Sequence, residues 1–183
     1  WTVLVYIMGD TDLENAALYD LLELQEAKLG ENANVVVAVD RSSRTDEENG
    51  YTGAEVLGLG NFSDTRLLTF GDGGLDLVGE AGELNFGDPS VLASFIEESL
   101  ETFPADKTAL FLWDHGAGWP GMGPDETDGY DILTLDEMRD GIKSGLEAVN
   151  LAKFDLIGMD ACLMASYEVA QAVNGLTDYL LAS

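Results

Sequence analysis

A chain of 183 residues fits a single domain spanning 1–183, large enough to bury roughly 70 % of its unfolded surface, and its 46 % hydrophobic content suffices for one compact core. The 35 acidic and 8 basic residues give a net charge of −27, which argues against nucleic acid, because neutralising phosphates takes Lys and Arg. The longest apolar runs are strand-sized, well short of the ~20 residues that cross a bilayer, so no membrane span is expected, and one cysteine cannot form an internal disulfide.

The first run, Thr2-Val3-Leu4-Val5-Tyr6-Ile7-Met8, reads as a strand ended by Gly9-Asp10-Thr11-Asp12. Trp1 opens directly into it, so any signal peptide is expected to precede this chain. Asp12 is placed to cap a helix whose Leu13, Ala16, Ala17, Leu21, Leu24 and Ala27 recur at helical spacing until Gly30. Residues 34–40 are continuously apolar, as a parallel strand covered on both faces should be. Short strands over 54–59 and 66–70 suggest an edge hairpin, and the glycine-rich, acidic stretch 71–87 reads as an irregular loop. Asp88-Pro89-Ser90 opens a helix that ends by Pro104. A strand over 108–113, a long loop over 116–132, a helix over 135–149, a strand over 154–159, a helix over 163–173 and a last strand follow. This alternation predicts a three-layer α/β/α sandwich around a mostly parallel central sheet. The closing Asp178-Tyr179-Leu180-Leu181-Ala182-Ser183 looks like a strand just completed, which suggests a C-terminal remainder or a second chain of the same protein.

The single histidine, His115, follows the run 108–113, and the single cysteine, Cys162, follows the run 154–159. A right-handed crossover between these runs makes them parallel, with both carboxyl ends at one edge, which is where open α/β sheets build their sites. The pair therefore reads as a thiol nucleophile and its general base and acid. A helix beginning just after Cys162 would favour thiolate. The N–H groups of Gly116 and Cys162 are the candidate oxyanion hole. Asp160, two residues before the nucleophile, would suit a pocket for Arg or Lys; the competing role is capping or bonding to loop amides. Asp114 should face away from the imidazole, and Trp113 and Trp119 read as packing residues. No spacing typical of zinc sites occurs. Asp125, Glu126, Asp128 and Asp131 fail the EF-hand pattern, since Pro124 would hold the first ligand position and Leu135 the last. These four, with Asp72, Asp76 and Asp88, read as solvated.

Trp113-Asp114-His115-Gly116 with Gly118-Trp119, and Phe154-Asp155-Leu156-Ile157-Gly158-Met159-Asp160-Ala161-Cys162-Leu163-Met164-Ala165-Ser166, resemble the clostripain family of cysteine peptidases. So do Trp1-Thr2-Val3-Leu4-Val5-Tyr6 with Asp10, Asp12, Leu13 and Glu14, then Asp125-Glu126-Thr127 and Leu133-Thr134-Leu135, so the likeness spans the chain. The resemblance implies a caspase-like sandwich, a Cys162–His115 dyad, and cleavage of protein or peptide substrates after Arg or Lys with Asp160 in the S1 pocket. No cofactor and no metal ligand is assigned; the calcium requirement of the family is not uniform, which leaves calcium open, and the resemblance implies an extracellular or cell-envelope location. Family members that mature by cleavage after a basic residue do so between the histidine and the cysteine. Here no Lys or Arg occurs from Gly116 to Met138, so such processing is not expected in that loop. Two other roles fit the same residues: a non-catalytic scaffold whose acidic surface meets a basic partner, and a transpeptidase using the same dyad.

The acidic excess is distributed over nearly every loop and helix, as on a protein from a salty or extracellular setting. A halophilic protein of this charge unfolds at low salt through self-repulsion. Melting temperatures in dilute buffer and in molar salt test this: the midpoint should rise with salt, and an unchanged midpoint would contradict it.

Overall fold

The computed structural model describes residues 1–27, 29–71 and 74–183. In chain order the elements are β1 (Thr2–Gly9), α1 (Glu14–Glu26), β2 (Asn34–Arg41), a 3-10 turn (Glu47–Asn49), β3 (Thr65–Gly71), β4 (Gly74–Gly82), α2 (Pro89–Thr102), β5 (Thr108–Trp113), β6 (Met122–Asp125), β7 (Asp131–Leu133), α3 (Leu135–Ala148), β8 (Phe154–Asp160), α4 (Tyr167–Ala172) and β9 (Thr177–Ala182). Seven strands form one sheet in the order β4-β3-β2-β1-β5-β8-β9. β2, β1, β5, β8 and β9 run parallel, and the β3–β4 hairpin adds antiparallel at one edge. The α/β architecture anticipated from the alternation of runs is therefore present.

Two apolar layers flank the sheet. On one face α2 and α3 lay Leu92, Ile96, Met138 and Ile142 against Leu4, Tyr6, Leu110 and Leu112. α2 and α3 pack closely because Gly145 has no side chain: a Cβ there would lie 2.7 Å from Ile96 Cβ. The helices start where local chemistry satisfies their first amides. Asp88 accepts from Ser90 N, and Thr134 and Glu137 form a reciprocal capping box. On the other face α1 sets Ala17, Leu18 and Leu21 against Val35, Val37 and Val39.

Several expectations are corrected. Residues 54–59 form no strand; their apolar Val56 is instead buried in the α1-side layer together with Phe62. β3 pairs with β4, which lies inside the stretch read as loop. β4 escaped notice because most of its residues are exposed, leaving no alternating apolar signal. The 116–132 loop contains the small antiparallel β6–β7 sheet. Helix α4 is only six residues long and is N-capped by Ser166, so it does not begin at the cysteine. Asp12 caps nothing: the N-cap of α1 is Leu13, without a side-chain bond. The close of α1 expected at Gly30 comes earlier, at Glu26, with Ala27 extended as its C-cap; Asp72, read as solvated, lies outside the described residues.

The carboxyl end of β2 is anchored by a fully buried ion pair. Arg41 Nε donates to Glu14 Oε1 at 2.8 Å, with both side chains 0 % exposed. Arg41 Nη2 also donates to Thr52 O, and Glu14 Oε2 accepts from Thr52 N. This ties the start of α1 and the segment after β2 to the sheet. Removing one partner leaves an uncompensated buried charge, so Arg41→Met should cost about 3–5 kcal/mol in denaturant unfolding. A loss below about 1 kcal/mol would contradict this anchoring role.

Candidate active site

Pairing of β5 with β8 aligns Trp113 with Asp160, and Asp114 N extends the ladder by donating to Asp160 O at 3.4 Å. One further step brings His115 level with Cys162. The chain can approach there because residue 116 is glycine: a Cβ on Gly116 would lie 2.0 Å from the Cys162 carbonyl oxygen. Beyond Cys162 the backbone turns sharply, with Leu163 at φ 64°. His115, Cys162 and Asp160 line one open cavity of about 250 Å³, with Leu13, Trp113 and Ser183. The thiol is exposed. Among the described residues no hydrogen bond joins imidazole and thiol, and neither the Gly116 nor the Cys162 N–H donates to another group. Both amides are free for a ligand.

The partner of the imidazole is Asp12, which sequence reasoning had assigned to capping. His115 Nε2 lies 2.7 Å from Asp12 Oδ1, leaving Nδ1 as the unpaired ring nitrogen. β1 is followed by α1 on one face of the sheet and β5 by α3 on the other, so Asp12 and His115 meet where the strand connections diverge. Only a loop direction separates a capping aspartate from one that reaches a neighbouring strand end, and no sequence spacing reports that direction.

Asp114 faces away from the imidazole, as expected. It is 3 % exposed, and its Oδ1 accepts from Thr11 Oγ1 at 3.0 Å while Oδ2 has no partner. Burial pushes its carboxyl up to about 7, opposed by its hydrogen bonds to His115 N and Thr11. Asp160 is exposed and also borders a second cavity of about 410 Å³, lined by apolar Val5, Leu24 and Phe111 and by acidic Asp20 and Glu23. Asp20 accepts from Trp113 Nε1 at 2.7 Å. Trp113 is a packing residue, as read. Trp119 is not: it is 75 % exposed, because it sits in a turn between Gly118 and Gly121, both at positive φ, that carries it away from either core layer.

Asp125 also departs from its reading as solvated. It is 2 % exposed and accepts from Phe86 N and Asp128 N, because the β6–β7 turn folds it inward. One oxygen each of Asp10, Asp40, Glu83 and Asp125 lies within 4.8 Å of the others, the arrangement among the described residues that suits a metal ion. Burial foremost, with the neighbouring carboxylates, raises Asp40 to about 9 and Glu83 to about 7.

The fold is an α/β sheet with its histidine and cysteine placed just beyond the carboxyl ends of two adjacent parallel strands. The X-ray structure of a secreted C11 cysteine protease from Bacteroides thetaiotaomicron, in complex with an irreversible peptide inhibitor, is 24 % identical with a TM-score of 0.78, over 98 % of this chain and 47 % of that one. An inactive zymogen C11 protease from Parabacteroides distasonis gives a TM-score of 0.67 at 24 % identity, over 100 % of this chain and 47 % of that one. The chain belongs to the clostripain family, whose sequence model matches residues 5–183. Clostripain from Hathewaya histolytica is 31 % identical over 92 % of this chain and 35 % of its own length. The chain thus spans about a third of that relative and about half of the solved structures.

Between about pH 4 and pH 7 folded Asp114 holds a proton that the unfolded chain releases, so this group makes stability fall as pH rises through that window. Asp114→Asn should flatten the fall, matching the parent near pH 4 and exceeding it at pH 8 in denaturant unfolding. Parallel pH profiles for the two proteins would contradict the assignment.

Proposed function

We propose that the protein is a cysteine endopeptidase that cleaves peptide bonds after Arg or Lys. The observation that carries this reading is the meeting of His115 and Cys162 at the ends of adjacent parallel strands, in one cavity with Asp160. In this mechanism Asp12 accepts the Nε2–H of His115, which leaves Nδ1 to take the thiol proton. The thiolate attacks the scissile carbonyl, a C–S bond forms, and the oxyanion takes the free Gly116 and Cys162 amides. The imidazolium then gives its proton to the leaving amine as the C–N bond breaks. Water, deprotonated by His115, hydrolyses the thioester and restores the thiol.

A basic side chain suits the neighbouring cavity, where the apolar lining takes the aliphatic stem and acidic Asp20, Glu23 and Asp160 take the charged head. Family membership supports the reaction class. Peptide or protein chains with a basic P1 residue are the proposed partners. An extracellular or cell-envelope location is proposed as well, in keeping with the secreted Bacteroides protein of the same fold. Among the described residues no helix is long and apolar enough to cross a membrane.

A peptide library with varied P1 residues tests the proposal. Cleavage should follow Arg or Lys and vanish in Cys162→Ala. Asp12→Ala should lower kcat by roughly 10²-fold with KM little changed, since a residue that orients the base acts on the chemical step. Asp160→Asn should reduce turnover of basic-P1 peptides far more than folding yield. Cleavage that survives Cys162→Ala, or a library without P1 preference, would overturn the corresponding part. Products formed with added amines would show transfer rather than hydrolysis.

A further inference from the structure

Trp119 and Leu163 stand beside the histidine and the cysteine without joining either core layer, at 75 % and 69 % exposure. A lone exposed apolar side chain is ordinary, but these two are held out by firmly anchored backbone. Gly118-Trp119-Pro120-Gly121 forms a turn in which Gly121 N donates to Gly118 O at 3.1 Å, and Ala117 N donates to Gly121 O at 2.9 Å. Below the turn Gly116 bridges to buried Met122, and Gly123 N donates to His115 O at 3.0 Å. Gly121 presses so closely on the strand opposite that a Cβ there would lie 2.2 Å from Leu133 O. Pro120 fixes its own φ and narrows the choices of Trp119 before it.

Leu163 is fixed in a different way. Its φ of 64° lies in the left-handed region, which costs a non-glycine residue free energy and is kept where a site uses it. The two residues issue from neighbouring backbone, since a Cβ on Gly118 would lie 3.4 Å from Leu163 O. Asp160, which ends β8, borders both cavities of the site, whereas Trp119 and Leu163 border neither. The apolar pair thus flanks the cysteine away from the cavity that suits a basic side chain.

A substrate that sets its P1 side chain beside Asp160 and its scissile N–H beside His115 continues past the histidine, over the turn that starts at Gly116. From this rigid, exposed pair on the departing side of the scissile bond, we infer that Trp119 and Leu163 form a primed-side subsite for an apolar side chain, aliphatic or aromatic, at the residue after the cleaved bond. The inference rests on the peptidase reading and adds a second selectivity to it: junctions of a basic residue with an apolar one are cut best. The indole offers a broad apolar face that loses little freedom on contact, because its turn is already ordered.

Quenched-fluorescence peptides that share Arg at P1 and differ only at P1′ test this, together with an N-acyl arginine methyl ester, which has no residue beyond the scissile bond. The parent should hydrolyse the ester and should cleave the Leu and Phe peptides with kcat/KM about tenfold above the Gly peptide. Trp119→Ala should shrink that preference to about twofold, and Leu163→Ala should shrink it in the same direction. Tyr19→Ala, which removes an exposed aromatic from α1, should leave the preference intact. An ester left unhydrolysed would remove the peptidase reading, and this inference with it. Ester hydrolysis with no P1′ preference, or with a preference that survives Trp119→Ala, would overturn the subsite alone. A Trp119→Ala protein that melts several degrees lower with its preference unchanged would overturn it too, because the indole would then serve packing.

Discussion

The register between β5 and β8 is the constraint on which the site depends. A shift of one residue would turn every side chain of β8 to the opposite face, sending Ile157 and Met159 out of the core and breaking the alignment of Trp113 with Asp160. Core burial thus fixes the relative height of His115 and Cys162 without any direct bond between them. Gly116 supplies the second condition, because any side chain there would strike the Cys162 carbonyl. The chemistry-bearing residues are exposed while their support is buried, so the core layers provide the rigidity and the site gives up little stability of its own.

The turn after β1 distributes three consecutive side chains to three places. Asp10 meets Thr127, Thr11 meets buried Asp114, and Asp12 meets His115. The Asp12–His115 pair is solvent-exposed, with side chains 59 % and 46 % accessible, so its value to folding is small; in the proposed mechanism it orients the imidazole. Its neighbours in the turn hold it in place. The acidic excess accordingly has two parts: a solvated surface, and a small set of carboxylates with specific tasks at the carboxyl edge of the sheet.

Much of the fold was legible because buried parallel strands announce themselves. The continuous apolar runs of β1, β2, β5 and β8 and the helix-opening Asp88-Pro89-Ser90 left little choice of architecture. β4 was illegible because an exposed edge strand need not carry an apolar pattern, and the apolar residues of 54–59 misled because a coil segment can plug a core layer as well as a strand can. The placement of His115 beside Cys162 followed from topology alone. The role of Asp12 and the convergence of Asp10, Asp40, Glu83 and Asp125 did not, since both arise from loops whose paths are set by tertiary contacts. Asp125 had been weighed only against ligands near it in sequence, whereas its neighbours in space come from β1, β2 and β4.

The most direct measurement is the pH dependence of Cys162 alkylation by iodoacetamide, followed by mass spectrometry in the parent protein and in His115→Ala. If the imidazole withdraws the thiol proton, the parent should react at pH 6 faster than a free thiol, and His115→Ala should lose that advantage. Reaction at the free-thiol rate in both proteins across the whole range would mean that cysteine and histidine share a rim without sharing a proton.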